Sequence, residues 1–417
     1  MKRILTLSAA LAFVLAPMAQ AETLPEAMAA AVDGNPSLAA QRQRLAATRE
    51  ALPQAWAEAL PSVSLSAGAS VGDSYGPASG ERSESWSGSA NASQLLFSSG
   101  RVLASTRAAR AQIRGAVADY DFTQQSLLLN VASAYADVRQ QQAVVAARET
   151  SVENLAHLFE YAQAQFDAGI ITRTDVAQAQ ARLAQGRTQL VQAQGSLAAA
   201  IQAYQRLVGR PPSDLQAPAS VQGLPSDLQA ALDFAGQNNP TLRGAIAASE
   251  QADANVDVAA SGGRLRVTLE AGSSIGGDFE PSDVETSSDS VGVRFSVPLI
   301  QGGAVRSRTR QQRALSSAAN LDVAAAQREV EEGVTNAWTG FASARAAVVS
   351  AREQVEAQEL AYEGVRLEQE TGLRATFEVL EQEQNLLDAR LTLAQAERNL
   401  VVAERNMLAQ LGALTPQ

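Results

Sequence analysis

Apolar residues recur along this chain with two different periods, and the changes of period divide it into elements. From Arg101 to Asp167 there is no proline and a single glycine, Gly115. The apolar residues there fall at steps of four and three: Ile113, Val117, Tyr120, Leu127, Val131, Ala134, Val138, Val145, Val152, Leu155, Phe159, Ala162 and Phe166. Gln124, Gln141 and Arg148 fill the remaining seam positions. This is a heptad seam, so the pattern predicts one long helix that supercoils against its neighbours. At about 1.5 Å per residue it reaches roughly 100 Å, too far to fold around one compact core. Asp167-Ala168-Gly169 ends it, because glycine suits the left-handed position after a helix end, and a return helix is predicted over 173–207. The return helix covers about half of the long one. A short helix from Pro36 to about Leu60 has the length to stack on it end to end.

Between short and long helices the period drops to two. After Pro61, Val63, Leu65, Ala67, Ala69 and Val71 alternate with Ser62, Ser64, Ser66, Gly68 and Ser70, which predicts a strand with one apolar and one polar face. A loop from Gly72 to Arg82 leads to a second alternating run from Glu84 to Phe97, and the hairpin spans about 62–97. The whole arrangement then repeats at a constant offset of 203 residues: Gly100 pairs with Gly303, Gly169 with Gly372, Asp175 with Glu378, Leu183 with Leu386 and Gly209 with Gly412. Asn35-Pro36 recurs one residue out of step as Asn239-Pro240. The second copy supplies a hairpin at about 264–300 with a loop from Gly276 to Ser288, a long helix 301–371, a return helix 375–411 and a short helix from Pro240 to about Ser261. The chain therefore divides into a leader, 1–21, a first repeat, 22–209, a linker, 210–224, and a second repeat, 225–417. Four strands cannot close a barrel around water, and open edges do not survive in lipid. Several chains must pool their strands, and three copies give twelve, an even number suited to an outer-membrane barrel.

The leader has a basic head, Lys2 and Arg3, an apolar run from Ile4 to Ala16, and the small-residue motif Ala19-Gln20-Ala21, so it reads as a secretory signal. Removing it takes the formal charge from -11 to -13, which argues against nucleic-acid binding. No later stretch is long and apolar enough for a membrane-spanning helix. The chain has no cysteine, one histidine (His157) and one lysine (Lys2), which removes disulfides, thiolate chemistry, multi-histidine zinc sites and phosphate-loop lysines. No cofactor or metal site is expected. No nucleophile, base and acid converge around the hydroxyls of Thr106, Ser133 and Ser350, so no catalysis is expected either. A soluble periplasmic coiled-coil scaffold would account for the heptads, but not for the alternating strand pairs.

The order of these elements, with Leu96-Phe97-Ser98-Ser99-Gly100-Arg101 and Pro298-Leu299-Ile300-Gln301-Gly302-Gly303 at the strand-to-helix junctions, resembles the TolC family of outer-membrane efflux and type I secretion channels. The tips carry the resemblance further, through 168–176 and 371–380. It implies a mixed α+β membrane protein: a homotrimeric twelve-stranded β-barrel in the outer membrane, four strands per chain, continued by a long α-helical coiled-coil cylinder in the periplasm. A mixed belt near mid-cylinder would be built from residues 22–35, 210–238 and the chain end. Implied partners are a periplasmic adaptor protein and an inner-membrane transporter of RND, ABC or MFS type.

The resemblance also places site residues. Glu378 and Glu381 fall where acidic rings narrow the periplasmic entrance, one helical turn apart and so on one side of their helix. Arg374 falls where a basic residue ties its hairpin to Thr174 and Asp175 of the neighbouring one, and Gln369 stands where the best known member has a tyrosine that assists this latch. Gly169, Ile170, Gly372 and Leu373 are implied adaptor contacts, since apolar residues at an exposed turn call for a partner. On the strands, Arg266, Glu270 and Arg294 share the polar face and are expected in the barrel lumen, and Trp86 is expected at a membrane interface. His157 lies in a polar stretch and is expected to be structural or solvated.

Overall fold

The computed structural model describes residues 22–76, 79–221, 223–279 and 285–416. The expected leader, 1–21, lies outside the described residues. The elements run α1 (Leu24–Gly34), α2 (Pro36–Arg49), α3 (Ala51–Ala57), β1 (Ser62–Gly76), β2 (Ser79–Phe97), α4 (Arg101–Asp167) and α5 (Arg173–Val208), then α6 (Leu228–Asn238), α7 (Pro240–Ser261), β3 (Arg266–Asp278), β4 (Thr286–Ser296), α8 (Ala304–Glu370) and α9 (Thr376–Leu411).

The Asn-Pro pairs have a double role that explains their recurrence. Asn35 Oδ1 accepts from the N–H groups of Ser37 and Leu38 to cap α2, while its Nδ2 donates to the Leu207 carbonyl at 3.2 Å. Asn239 caps α7 in the same way and donates to the Gln410 carbonyl at 2.8 Å. Each pair thus starts a short helix and ties it to the end of a return helix. The two short helices differ in one respect. Pro53 has no N–H and its ring crowds the carbonyl of Arg49, so the first breaks at Glu50 into α2 and α3, whereas α7 has no internal proline and is continuous.

The strands form one antiparallel sheet in the order β1-β2-β3-β4. They run farther than the alternation indicates: β1 continues to Gly76 and β2 begins at Ser79, through the stretch read as a loop, and β3 reaches Asp278. Pairing beyond a bilayer needs no apolar face, so the alternation stops before the ladder does. In register, Ala69 lies opposite Trp86 and Val71 opposite Glu84. On β2 Trp86 therefore ends the apolar face, with Glu84 beyond it, and on β1 Val71 ends it, with Asp73 beyond. On the other face, hydroxyl pairs Ser62–Ser93, Ser66–Ser89 and Ser70–Ser85 meet at 2.9, 2.7 and 2.9 Å. The apolar face is bare in the protomer, with Val63, Leu65 and Val291 each more than three-quarters exposed.

Near the sheet the helices lie side by side as α2 with α3, α4, α7 and α8; toward the tips the order is α5, α4, α9 and α8. α4 is therefore interior and α8 an edge. The core is a set of clusters strung along these helices. The largest gathers Leu24, Leu38, Leu128, Val131, Tyr135 and Tyr204 around mid-length, and another joins Leu155, Ala162, Leu183, Val379 and Leu380 near the tips. Leu128, Tyr135 and Leu158, which lie off the heptad seam, are buried because α4 is covered on several sides.

The belt residues form helices the periodicity did not reveal, α1 and α6, together with an isolated parallel bridge between Glu22 and Leu215. The Glu22 carboxylate is buried against Arg210, 2.7 Å away, and the Ser213 N–H. The Tyr135 hydroxyl lies 2.8 and 2.7 Å from the carbonyls of Glu22 and Gln216, and burial pushes its pKa up to about 12.

Candidate functional site

Both hairpin tips are built by the same backbone device. After α4, the Gly169 N–H donates to the Phe166 carbonyl and the Ile170 N–H to the Gln165 carbonyl, at 2.8 and 2.9 Å. After α8, Gly372 donates to Gln369 and Leu373 to Glu368, at 3.0 and 2.9 Å. These are paired Schellman closures, and they require the left-handed conformation found at Gly169 (φ +76°) and Gly372 (φ +81°). In many such closures the following apolar residue packs back on its own helix. Here it does not: Ile170 is 69% exposed and Leu373 77%.

The next residues separate the two tips. Thr172 precedes α5 and forms a complete capping box: its hydroxyl accepts from the Asp175 N–H, and Asp175 Oδ2 accepts from the Thr172 N–H at 2.9 Å and from its hydroxyl at 2.8 Å. These bonds hold the Asp175 carboxyl below its usual range. Before α9 the equivalent residue is Ala375, which has no hydroxyl, so only the return bond from Ala375 N–H to Glu378 survives, at 3.5 Å. Arg374 fills the gap. Its guanidinium donates to Glu368 at 2.8 Å and to Glu378 at 2.5 Å, joining the end of α8 to the start of α9 and lowering the Glu378 pKa. Gln369 is buried and donates to the Thr376 hydroxyl at 3.5 Å, another link between the same two helices.

Within one protomer Arg374 therefore does not meet Thr174 or Asp175. Both carboxylates it binds lie on its own hairpin, and Asp175 is engaged by its own cap. Glu378 is partly compensated by Arg374, whereas Glu381 is exposed and has no ion pair among the described residues.

The two hairpins, α4 with α5 and α8 with α9, meet along a seam between α4 and α9. Arg398 donates to Asp137 at 2.7 Å and to Ser133 at 3.0 Å, Gln140 to Gln395 at 2.6 Å, and Asn154 to Glu383 at 3.1 Å. Sequence patterning missed these polar links because each joins residues far apart in the chain. On the sheet, Glu270 and Arg294 form a two-pronged pair at 2.8 Å for each bond, and Arg266 lies exposed at the start of β3 on the same polar face. No cluster of three or more histidine, aspartate or glutamate side chains suited to a metal ion occurs among the described residues.

Two long hairpins hung from an open sheet with one apolar face match one description. The sequence model for outer membrane efflux proteins fits residues 28–210 and again 231–413, once per repeat. The chain belongs to the outer membrane efflux protein family. It is 28% identical over 435 residues to the outer membrane protein TolC of Vibrio cholerae serotype O1, spanning 100% of this chain and 97% of that one. It is also 28% identical over 323 residues to the outer membrane efflux protein BepC of Brucella suis biovar 1, spanning 77% and 71% of the two chains. Among solved structures, the outer-membrane channel OprN superposes with a TM-score of 0.81 at 24% identity, covering 94% of this chain and 90% of that one.

As an outer membrane efflux protein it is an exit duct located in the outer membrane with a periplasmic extension. Three protomers close the sheet, β4 of one beside β1 of the next, into a twelve-stranded barrel whose apolar face meets lipid. The helices continue it as a cylinder.

Proposed function

We propose that the duct is opened and shut at its periplasmic end by movement of the α8–α9 hairpin, and that the exposed apolar tips receive a periplasmic adaptor fed by an inner-membrane transporter. The observation that carries this reading is the difference between the tips. The first is closed by its own cap, while the second is held by ion pairs and one long amide bond, links that can be exchanged without breaking an apolar core. The latch from Arg374 to Thr174 and Asp175 is a contact between protomers, formed by exchange with Glu368 and Glu378. Glu378 and Glu381, gathered around the threefold axis, form the entrance rings, with Glu381 the freer carboxylate. Glu270 and Arg294 neutralise each other in the barrel lumen, leaving Arg266 as a fixed charge among serine hydroxyls.

Charge rings in a narrow aqueous constriction concentrate counter-ions. In planar bilayers the channel should favour cations, and a multivalent cation added from the periplasmic side should block it. Glu378→Ala combined with Glu381→Ala should weaken block while leaving trimer yield intact. Unchanged block in the double variant would remove both residues from the entrance, because a diffuse acidic lumen gives no tight site. Ile170→Asp with Leu373→Asp should keep conductance and lose transport in cells.

A further inference from the structure

Glu383 is a carboxylate in the wrong place for a solvated helix. It lies on α9, near the tip, and is 3% exposed. Asn154 of α4 donates to its Oε2 at 3.1 Å, and the side chains of Ser151 on α4 and Tyr362 on α8 face it. Leu155, Leu158, Ala162, Val379 and Leu380 form the apolar cluster beside it.

Two of the cations nearby are paired with other carboxylates, although the charge of Arg390 still reaches Glu383. Arg390, its neighbour on α9, is bound 2.8 Å from Glu359 of α8. Arg366 on α8 is held by Glu363 and Glu370, at 2.7 and 3.3 Å. Arg182 of α5 lines the same crevice, yet no ion pair to Glu383 occurs among the described residues. The equivalent position in the first repeat is Gln180, which is exposed. The buried acid is thus confined to the second hairpin, and it sits where that hairpin touches the first.

An ionised carboxylate without a cation is costly to bury, and the cost vanishes once water reaches it. We infer that Glu383 couples opening of the duct to protons: with a proton bound the hairpins pack along the α4–α9 seam, and with the proton released they separate more readily. This rests on the reading that the α8–α9 hairpin moves to open the channel. Burial raises the Glu383 pKa in the packed state, and it does the same to Tyr362, which goes up to about 12. A group whose packed-state pKa is raised stabilises packing fully below its ordinary value and loses that contribution as pH rises through the raised value. Acid therefore favours the closed seam, through a group distinct from Glu378, whose pKa is lowered.

The test uses the reconstituted trimer, wild type and E383Q, the amide standing for the protonated acid. Open probability of wild type should rise several-fold between about pH 5 and pH 8, where ordinary glutamates no longer titrate. E383Q should stay at the low, acid-like value throughout. Infrared difference spectra should show a protonated carboxyl in wild type that titrates above the ordinary glutamate range and is missing in E383Q. N154L, which removes the donor to the ionised form, should move that titration higher, a readout that remains if E383Q fails to assemble. Identical pH profiles for wild type and E383Q, or no carboxyl titrating above the ordinary range, would overturn the inference. Failure of the underlying gate reading shows separately, as unchanged conductance in Arg374→Ser.

Discussion

The two hairpin tips share a backbone closure and almost nothing else. Gly169 and Gly372 make the same bonds, but the first tip is then fixed by Thr172 and Asp175 within one turn, while the second depends on Arg374 reaching two carboxylates on different helices. Duplication supplied two copies of a fold, and substitutions at a few equivalent positions gave one tip a local cap and the other ion pairs; on the proposed gate reading the first is the fixed wall and the second the movable part. The tips also differ in their response to acid. The depressed pKa of Asp175 means its cap contributes above the ordinary aspartate range and is lost only as pH falls through a still lower value. The first tip should keep its cap in acid that already protonates Glu383.

The same contrast runs up the long helices. α4 is interior, whereas α8 has a bare flank carrying Leu321 and Leu360, 71% and 77% exposed. Strands β1 and β4 are bare in the same sense. The largest effect expected is therefore on assembly, which is all or none. Cross-linking in detergent should stop at three subunits, and a stable folded monomer would mean that these edges are not interfaces.

A second experiment compares equivalent positions on the two helices. Leu128 of α4 is fully buried, and its counterpart 203 residues on is Glu331 of α8, which is exposed. Leu128→Ala should cost about 2–5 kcal/mol, as for other buried leucines. Glu331→Ala should change stability by less than about 0.5 kcal/mol. Chemical denaturation of the trimer measures both, and equal losses would show that the two helices are equally enclosed.

These differences mark how far the sequence is legible. Heptad spacing showed α4 because a seam that long, unbroken by proline, fits neither a strand nor a loop, and the alternation around Val63 and Leu269 showed the strands because one face must meet lipid. Leu128 and Tyr135 were missed because α4 packs against several neighbours at once, and a single seam describes only one. At the site, the residue types at the tips were visible in Arg374, Glu378 and the glycines. Their partners were not: Arg374 turns to Glu368 and Glu378 through side-chain reach that spacing does not encode. Glu383 went unnoticed because a glutamate two residues beyond Glu381 reads as one more solvated charge. Its burial is fixed by Asn154, more than two hundred positions away.

Arg374 gives the next effect in size. Arg374→Ser frees Glu378 as well as removing the latch, so conductance should rise and multivalent cations should block more tightly. Asp175→Ala should add little conductance on top of it, since both changes remove one link. Unchanged conductance in each single variant would take the latch out of the mechanism.

The smallest expected effect tests the comparison most directly, by exchanging the caps. Thr172→Ala gives the first tip the second tip's residue and takes the hydroxyl acceptor from the Asp175 N–H, leaving it the backbone carbonyl of residue 172 alone. Ala375→Thr gives the second tip a hydroxyl positioned to accept from the Glu378 N–H, completing the box that Glu378 already half forms. A threonine cap is worth roughly a fivefold change in the local opening equilibrium. Hydrogen exchange at the first turn of α5 should quicken by about that factor in Thr172→Ala, and exchange at the first turn of α9 should slow by a similar factor in Ala375→Thr. The two variants should nevertheless part in function. If only the second tip moves, Ala375→Thr lowers open probability, because it stabilises the closed start of α9, whereas Thr172→Ala leaves open probability unchanged. Equal effects on opening from both exchanges would mean that the tips move together, and the division of the duplicated chain into a fixed and a movable half would fail.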